Sequence, residues 1–330
     1  MKSHSNPNLS AFRSRMWLIA FMLLALIGMR SAWAVDKPIR LVVPFPAGSA
    51  TDALGRILGQ ELSTILKLPV VVENRPGAGG IIGADSVKNS PADGSVLLLT
   101  TNTTQAANKS LFKQLPYDPI RDFTPVGKVG TSGMVLMVRP DFPAQSLDAF
   151  IAQAKASQKG FSYGHGSAAS QVSAALFLRR IGARATAIAY KGIPNAVVDL
   201  MGGHIDFVFV DLSNALNHIQ SGKLKALVVT TERRAARAPS VPTMTETAAL
   251  SGMVVPGWFA IMAPAATPAP IVARLNEATG TAVNNPEVRE RMSAIGIAPD
   301  FQSPAVLRDL IASEINRWAG WVSAAQIVPE

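Results

Sequence analysis

The chain has no cysteine in its 330 residues, which excludes disulfides and thiolate-held metals. Histidine is almost as scarce: there are four, one of them His4, and no two stand at the H-x-x-x-H spacing of a helical zinc site. Charged residues make up 16%, and the densest basic stretch, "ERRAAR" at 232–237, is too short and isolated to read as a nucleic-acid interface. After residue 29 no apolar run approaches the ~20 residues that span a bilayer. Solenoid repeats and low-complexity linkers are missing as well. No metal, no cofactor and no nucleic-acid partner are expected.

What is present begins with a targeting signal. Lys2, Arg13 and Arg15 precede the apolar run "MWLIAFMLLALIGM" (16–29), and "AWA" follows at Ala32–Ala34. A basic n-region, a short apolar core and an A-x-A site predict a secretory signal peptide over residues 1–34, cleaved after Ala34. Ser14 separates the two arginines, so no twin-arginine signal is present and export of an unfolded chain to the periplasm is expected. The segment carries Lys2, Arg13, Arg15 and Arg30 and no acid, so its loss takes the net charge from +9 to +5.

The remaining 296 residues alternate between strand and helix patterns. "IRLVVPF" is a strand, and "DALGRILGQELSTILKL" a helix with Leu54, Ile57, Leu58, Leu62, Ile65 and Leu66 on one face. Further apolar strands are "PVVVENR", "SVLLLTT", "FSYG", "TAIAY", "DFVFVD" and "LKALVVTT", spaced by helices. Continuous apolar strands between helices predict an α/β fold with parallel sheets covered on both faces. The βα units are too many for one sheet. Two proline-flanked extended segments, 134–146 and 254–264, read as crossovers between lobes. Residues 35–138 and 259–330 would then form a discontinuous first lobe and 139–258 the second. A ligand would lie in the cleft between them, beyond the carboxyl ends of the strands.

The turns at those strand ends share a character. "PFPAGSATD" (44–52), "TTNTTQ" (100–105), "GHGSAAS" (164–170), "YKGIPN" (190–195) and "DLSN" (211–214) each place glycine or hydroxyl residues at a helix start. Unpaired N–H groups and the positive end of the helix dipole favour an anion there. Gly48 and Gly166 are expected to allow close approach of the backbone to a ligand, or a positive φ. Enzyme motifs fit less well. "GHGSAA" matches G-x-G-x-x-A, but no acid closes the following strand "TAIAY" to hold a ribose. "HGSAA" lacks the second glycine of a nucleophile elbow, and the remaining histidines cannot be assigned to a triad from spacing.

Taken in order, "IRLVVPFPAGSATDALGR", "VVVENRPGAGGIIGADSV", "PADGSVLLLTT", "LPYDPIRDFTPV", "YKGIPNAVVDLMGGHIDFVF", "GKLKALVVTT", "PSVPTMTE" and "GWFAIMAPAATPAPIVARLN" resemble the extracytoplasmic solute receptors of tripartite tricarboxylate transporters, the Bug proteins. The resemblance covers the chain from Lys37 onward. It implies a two-lobed, type II periplasmic-binding-protein fold that closes on a small carboxylate and delivers it to membrane permease subunits, as a monomer and without catalysis. By matched position the first lobe would contact the ligand through Phe45, Pro46, Ala47, Gly48, Ser49, Thr51 and Asp52, with Thr101, Asn102 and Thr103 beside them. The second lobe would use Gly164, His165, Gly166, Ser167, Tyr190, Lys191, Gly192 and Asp211, although Asp211 is better explained as a cap of the next helix. Ser49 stands where a second glycine is usual, Gln171 at a common histidine, Ala175 at a common glutamate, and Ala187 and Ala189 at a usual His and Pro. These departures bear on ligand identity rather than on fold. An exported enzyme acting on a carboxylate, or a sensor-coupled binding protein, are the alternatives.

Overall fold

The computed structural model describes residues 37–330, so the signal peptide and its cleavage site lie outside the described residues. Among the described residues, eleven strands fall into two sheets. The first six-stranded sheet runs β11 (Ala298–Gln302), β4 (Phe123–Ser132), β10 (Gly257–Pro264), β3 (Val96–Thr101), β1 (Ile39–Val43), β2 (Val70–Asn74). The five-stranded sheet runs β7 (Ala185–Ala189), β6 (Phe161–His165), β8 (Phe207–Asp211), β5 (Met134–Val138), β9 (Lys225–Val229). The chain thus builds β1–β4 in one lobe, β5–β9 in the other, and returns for β10 and β11. The change of sheet comes earlier than residue 138: β4 ends at Ser132, and β5, from Met134, already pairs with β8 and β9.

The sheets are mixed rather than parallel. The βαβ strands β1, β2 and β3 run parallel, as do β6, β7 and β8. β10 is antiparallel to both of its neighbours, and so is β5. The reason is topological. A βαβ strand runs toward the cleft, while a strand arriving from the other lobe enters at the cleft edge and runs away from it. Register shows this directly: Phe259 near the start of β10 pairs with Thr101 at the end of β3, and Met134 at the start of β5 pairs with Asp211 at the end of β8.

The two crossing segments are tied to each other. Thr230, fully buried, accepts from the Met134 N–H at 3.0 Å through Oγ1 and donates the same hydroxyl to the Val255 carbonyl at 3.1 Å. Its backbone bonds to Met134 and Val255 as well. One threonine therefore laces the outgoing and returning strands together.

Helices cover both faces. The ones that matter for the site are α1 (Ala50–Leu66), α2 (Ile81–Lys88), α3 (Asn108–Leu111), α4 (Leu147–Ala156), α5 (Ala168–Ile181), α6 (Ile193–Met201) and α7 (Leu212–Gln220). Three more, α8 (Ala269–Asn284), α9 (Pro286–Ala294) and α10 (Pro304–Ala324), complete the chain. In α1 the buried Leu54, Ile57, Leu58, Leu62 and Leu66 face the sheet, while Gly55 and Gly59 let it approach Val43 and Val72. The second lobe is filled by an aromatic cluster in which Phe150 lies 5.3–5.9 Å from Phe161, Phe177 and Phe207. Among the described residues, no helix is long and apolar enough to cross a membrane.

The long C-terminal helix α10 bridges the structure. Trp318 and Val322 belong to the same apolar cluster as Phe177 and Phe209 of the second lobe. Its buried Glu314 accepts the indole N–H of Trp258 on β10 at 3.3 Å and that of Trp318 at 3.1 Å, and Arg317 pairs with the other carboxylate oxygen at 2.5 Å. Glu314→Ala would leave two buried indole donors unpaired, at about 1–3 kcal/mol each. Urea denaturation should therefore show a loss of about 2–5 kcal/mol, with Glu314→Gln losing less because an acceptor oxygen remains.

Candidate functional site

The carboxyl ends of β1, β3, β6 and β8 face one another across the cleft, and each passes into a helical turn. At the end of β1 the chain makes the turn 44–49 with Gly48 at φ +79°, a conformation that needs glycine. Ser49 caps α1, its Oγ accepting the Asp52 N–H at 3.2 Å. Ser167 does the same for α5, accepting from the Ser170 N–H at 3.2 Å. In both, the cap occupies a hydroxyl lone pair and leaves the O–H hydrogen free to donate. The N–H groups of Ala50, Thr51, Ala168 and Ala169, in the first turns, have no partner within their helices.

These features meet in one cavity. Phe45, Ser49, Thr51, Thr101, Asn102 and Thr103 line it from the first lobe, and Gly166, Ser167 and Asp211 from the second. The space left is about 30 Å³, room for about one water. Asn102 is 3% exposed and its Nδ2 has no hydrogen-bond partner, a buried donor aimed at nothing in the protein. Among the described residues, no lysine, arginine or histidine lines the cavity.

Sequence reasoning missed part of the wall. Ala50, Ala169, Ile193, Gly257, Trp258 and Phe259 also line it. Trp258 and Phe259 open β10, and the pairing of Phe259 with Thr101 carries them to the end of β3. The aromatic pair directly after a crossover glycine was the available signal, but it reads equally as core.

A second cavity of about 300 Å³ adjoins the first, sharing Gly166 and Ser167 with it. His165, Tyr190 and Lys191 lie here, together with Gln171 and Ala189. The C-terminal tail closes one side, held by backbone bonds between Glu330 and residues Leu111 and Lys113. Burial pushes His165 down to about 4, so at neutral pH it is an uncharged imidazole. The Tyr190 hydroxyl is committed to Asp199 at 2.7 Å, and Lys191 is exposed at the rim.

The remaining residues of the expected set shape the loops. Asp52, 4% exposed, accepts from the Gly48 N–H at 3.0 Å, from Asn74 at 3.0 Å and from Arg56 at 3.2 Å. Burial opposes its ionisation, but these donors outweigh it and hold the carboxyl below its ordinary value. Asp52 thus braces the first loop and lines neither cavity. Gly164 is packed against Tyr190, Ile205 and Ala196. Ala47 sits exposed at the loop tip.

Gly166 has no positive φ, and a Cβ there would come within 2.2 Å of the Gly192 carbonyl carbon. The close approach it permits is to the 192–193 backbone rather than to open cavity. Gly192 in turn faces Pro46 across the cleft: a Cβ on Gly192 would lie 2.5 Å from the Pro46 Cδ. Pro46 and Gly192 are therefore one point at which the two lobes touch. Gly192→Ala should wedge that contact and hold the lobes apart. Its radius of gyration by small-angle scattering should exceed that of the wild type, with secondary structure unchanged.

Asp211 lies at the junction of β8 and α7. Its side chain makes no capping bond to the helix, which removes the capping explanation. It retains some solvent contact through the cavity but is closely surrounded, and burial pushes its carboxyl up to about 6. A carboxyl raised above its unfolded value contributes stability that is full below about pH 4 and lost as pH rises through about 6. Asp211→Asn should therefore raise the melting temperature of the unliganded protein at pH 7.5 and leave it unchanged near pH 4.

Comparison with known proteins gives a consistent picture. The sequence profile described as "Tripartite tricarboxylate transporter family receptor" matches residues 54–327. Protein BugT of Bordetella pertussis is 40% identical over 289 residues, covering 87% of this chain and 88% of its own length. Among solved structures, the periplasmic binding protein BugD superimposes with a TM-score of 0.85 at 31% identity, covering 89% of this chain and 99% of its own. An R. palustris protein with adipate gives a TM-score of 0.87 at 30% identity and covers 90% and 99%. MatC from Rhodopseudomonas palustris with bound malate gives 0.82 at 32% identity and covers 87% and 99%.

Proposed function

The chain belongs to the receptor family of tripartite tricarboxylate transporters, and from that membership we propose that its interlobe cavity binds a small carboxylate for delivery to the permease subunits of such a transporter. One observation carries the reading. The N-termini of α1 and α5, from opposite lobes, converge with the Ser49 and Ser167 hydroxyls and the unpartnered Asn102 amide on a cavity without a basic side chain. Such a site neutralises an anion with dipoles and hydrogen-bond donors in place of an ion pair. The adipate and malate held by two structural neighbours are anions of this class.

The remaining parts of the proposal follow from the family role. The protein is exported, with its signal peptide removed after Ala34, and acts as a monomer that returns its ligand chemically unchanged. Residues laced by Thr230 act as the hinge between lobe 1 (35–133 and 257–330) and lobe 2 (134–256), so that β5 moves with lobe 2 and β10 with lobe 1. Phe45, Ser49, Thr51, Thr101, Asn102, Thr103, Gly166, Ser167 and Asp211 form the ligand shell. Pro46, Gly48, Asp52, Gly164 and Gly192 set loop shape, and His165, Tyr190 and Lys191 line the adjoining space.

Each hydrogen bond to a charged acceptor is worth roughly 1.5–3 kcal/mol. An amide presents N–H groups where donors already point, so it forfeits one or two of them. Converting one ligand carboxylate to its amide should weaken binding about tenfold to several hundredfold at ~1.4 kcal/mol per decade. Lys191→Ala should cost less. Calorimetric titration reads both: an amide that binds as well as its acid would defeat the dipolar cradle, and loss of binding in Lys191→Ala alone would make the site an ion pair. Mass spectrometry of the ligand released from native protein identifies the acid and shows whether it is unaltered.

A further inference from the structure

The donors in the cavity account for a carboxylate, but one group in the same cavity does not. Asp211 lines it with a side chain that caps no helix and takes part in no ion pair among the described residues. Among the described residues no cation faces it there, since none that is basic lines the cavity. A carboxylate beside a bound carboxylate would repel it unless a donor lies between them or one of the pair takes up a proton.

Position makes the point sharper. Asp211 ends β8, while Gly166 and Ser167 follow β6 on the adjacent parallel strand. The helix start at α5 that would hold an anion and the Asp211 carboxyl are thus neighbours on one sheet edge. The space they share is only about 30 Å³. A ligand carboxylate held at the α5 start would place its neighbouring carbon on the Asp211 side of the cavity.

We infer that Asp211 is a specificity-determining acceptor for a hydrogen-bond donor on the carbon next to the bound carboxylate, so that the preferred ligands are 2-hydroxy or 2-amino acids rather than unsubstituted ones. The inference rests on the carboxylate-receptor reading and refines it. The ligand's carboxylate takes the donors of α1, α5, Ser49, Ser167 and Asn102, and its hydroxyl or ammonium donates to Asp211. The acid in the cavity is then satisfied by the ligand instead of opposing it. In the empty site Asp211 has only its own backbone N–H and the Asn214 side chain near it, and these do not offset its burial.

The test uses matched triplets that differ at one atom: succinate, malate and aspartate; propionate, lactate and alanine; phenylacetate, mandelate and phenylglycine. Each is titrated calorimetrically into the mature protein at pH 8, where the carboxyl is ionised. In the triplet that fits the cleft, the hydroxy or amino acid should bind at least about tenfold more tightly than the unsubstituted acid, the worth of one hydrogen bond to a charged group. Asp211→Ala should narrow that preference to within about threefold. Asp211→Asn keeps an acceptor oxygen without the charge, and should lose the ammonium preference while retaining part of the hydroxyl preference. If the alanine variant does not fold, the asparagine variant decides through the ammonium arm alone. Equal binding of unsubstituted and substituted acids would overturn the inference and leave the receptor reading standing. A preference that survives both substitutions would assign the selectivity to another group and overturn it equally. Failure of all nine acids to bind, with no carboxylate released from the native protein, would defeat the small-carboxylate reading itself, and the inference with it.

Discussion

The structure depends on a constraint of helix termini: the first turn of a helix exposes N–H groups that must find acceptors. In α1 and α5 a serine satisfies the third of them and the first two remain open. The βα topology places both helix starts at the carboxyl ends of strands, and two lobes turn those ends toward each other. An unsatisfied donor set is thereby concentrated in a narrow space. Buried donors without partners are costly, and an anion arriving there relieves the cost. Binding and lobe contact are then two aspects of one arrangement.

The rest of the architecture keeps that arrangement in register. Asp52 spends its carboxylate on Gly48, Asn74 and Arg56, so the first loop is rigid before any ligand arrives. Asn74 also donates to the Phe45 carbonyl at 3.1 Å, tying the loop to β2. In the second lobe, Gly166 lets the 164–167 turn sit directly on the 192–193 backbone, so those two loops move as one. Thr230 holds the crossing strands side by side behind the cavity. Glu314 joins the crossing strand β10 to α10 through Trp258. Rigid loops on two bodies with a narrow connection are what a closing receptor requires.

Asp211 stands apart from these supports. Asp52 is surrounded by donors and held ionised, whereas Asp211 is buried with none that outweigh burial. Two aspartates at comparable strand-to-helix junctions thus have opposite electrostatics. One serves the protein, and the other is left over for what the protein holds.

The sequence by itself determined much of the fold. Apolar strands alternating with helices, caps at Ser49 and Ser167 and the glycine at 48 are local facts, readable because propensity and capping act over a few residues. It did not reveal β4 or β11, since "FTPVGKVGTS" is interrupted by proline and glycine and "APDFQ" is a short edge strand with irregular pairing. Nor could it give the mixed sheet, because the direction of β5 and β10 follows from which lobe the chain comes from. The site divides in the same way. The loops that bear Ser49, Asn102, Ser167 and Asp211 were legible as helix starts. Tertiary structure alone decided that Asp52 braces a loop, that Gly166 and Gly192 serve contacts between loops, and that Trp258 and Phe259 wall the cavity. Those outcomes depend on which distant segment occupies the neighbouring space, and no local pattern carries that information.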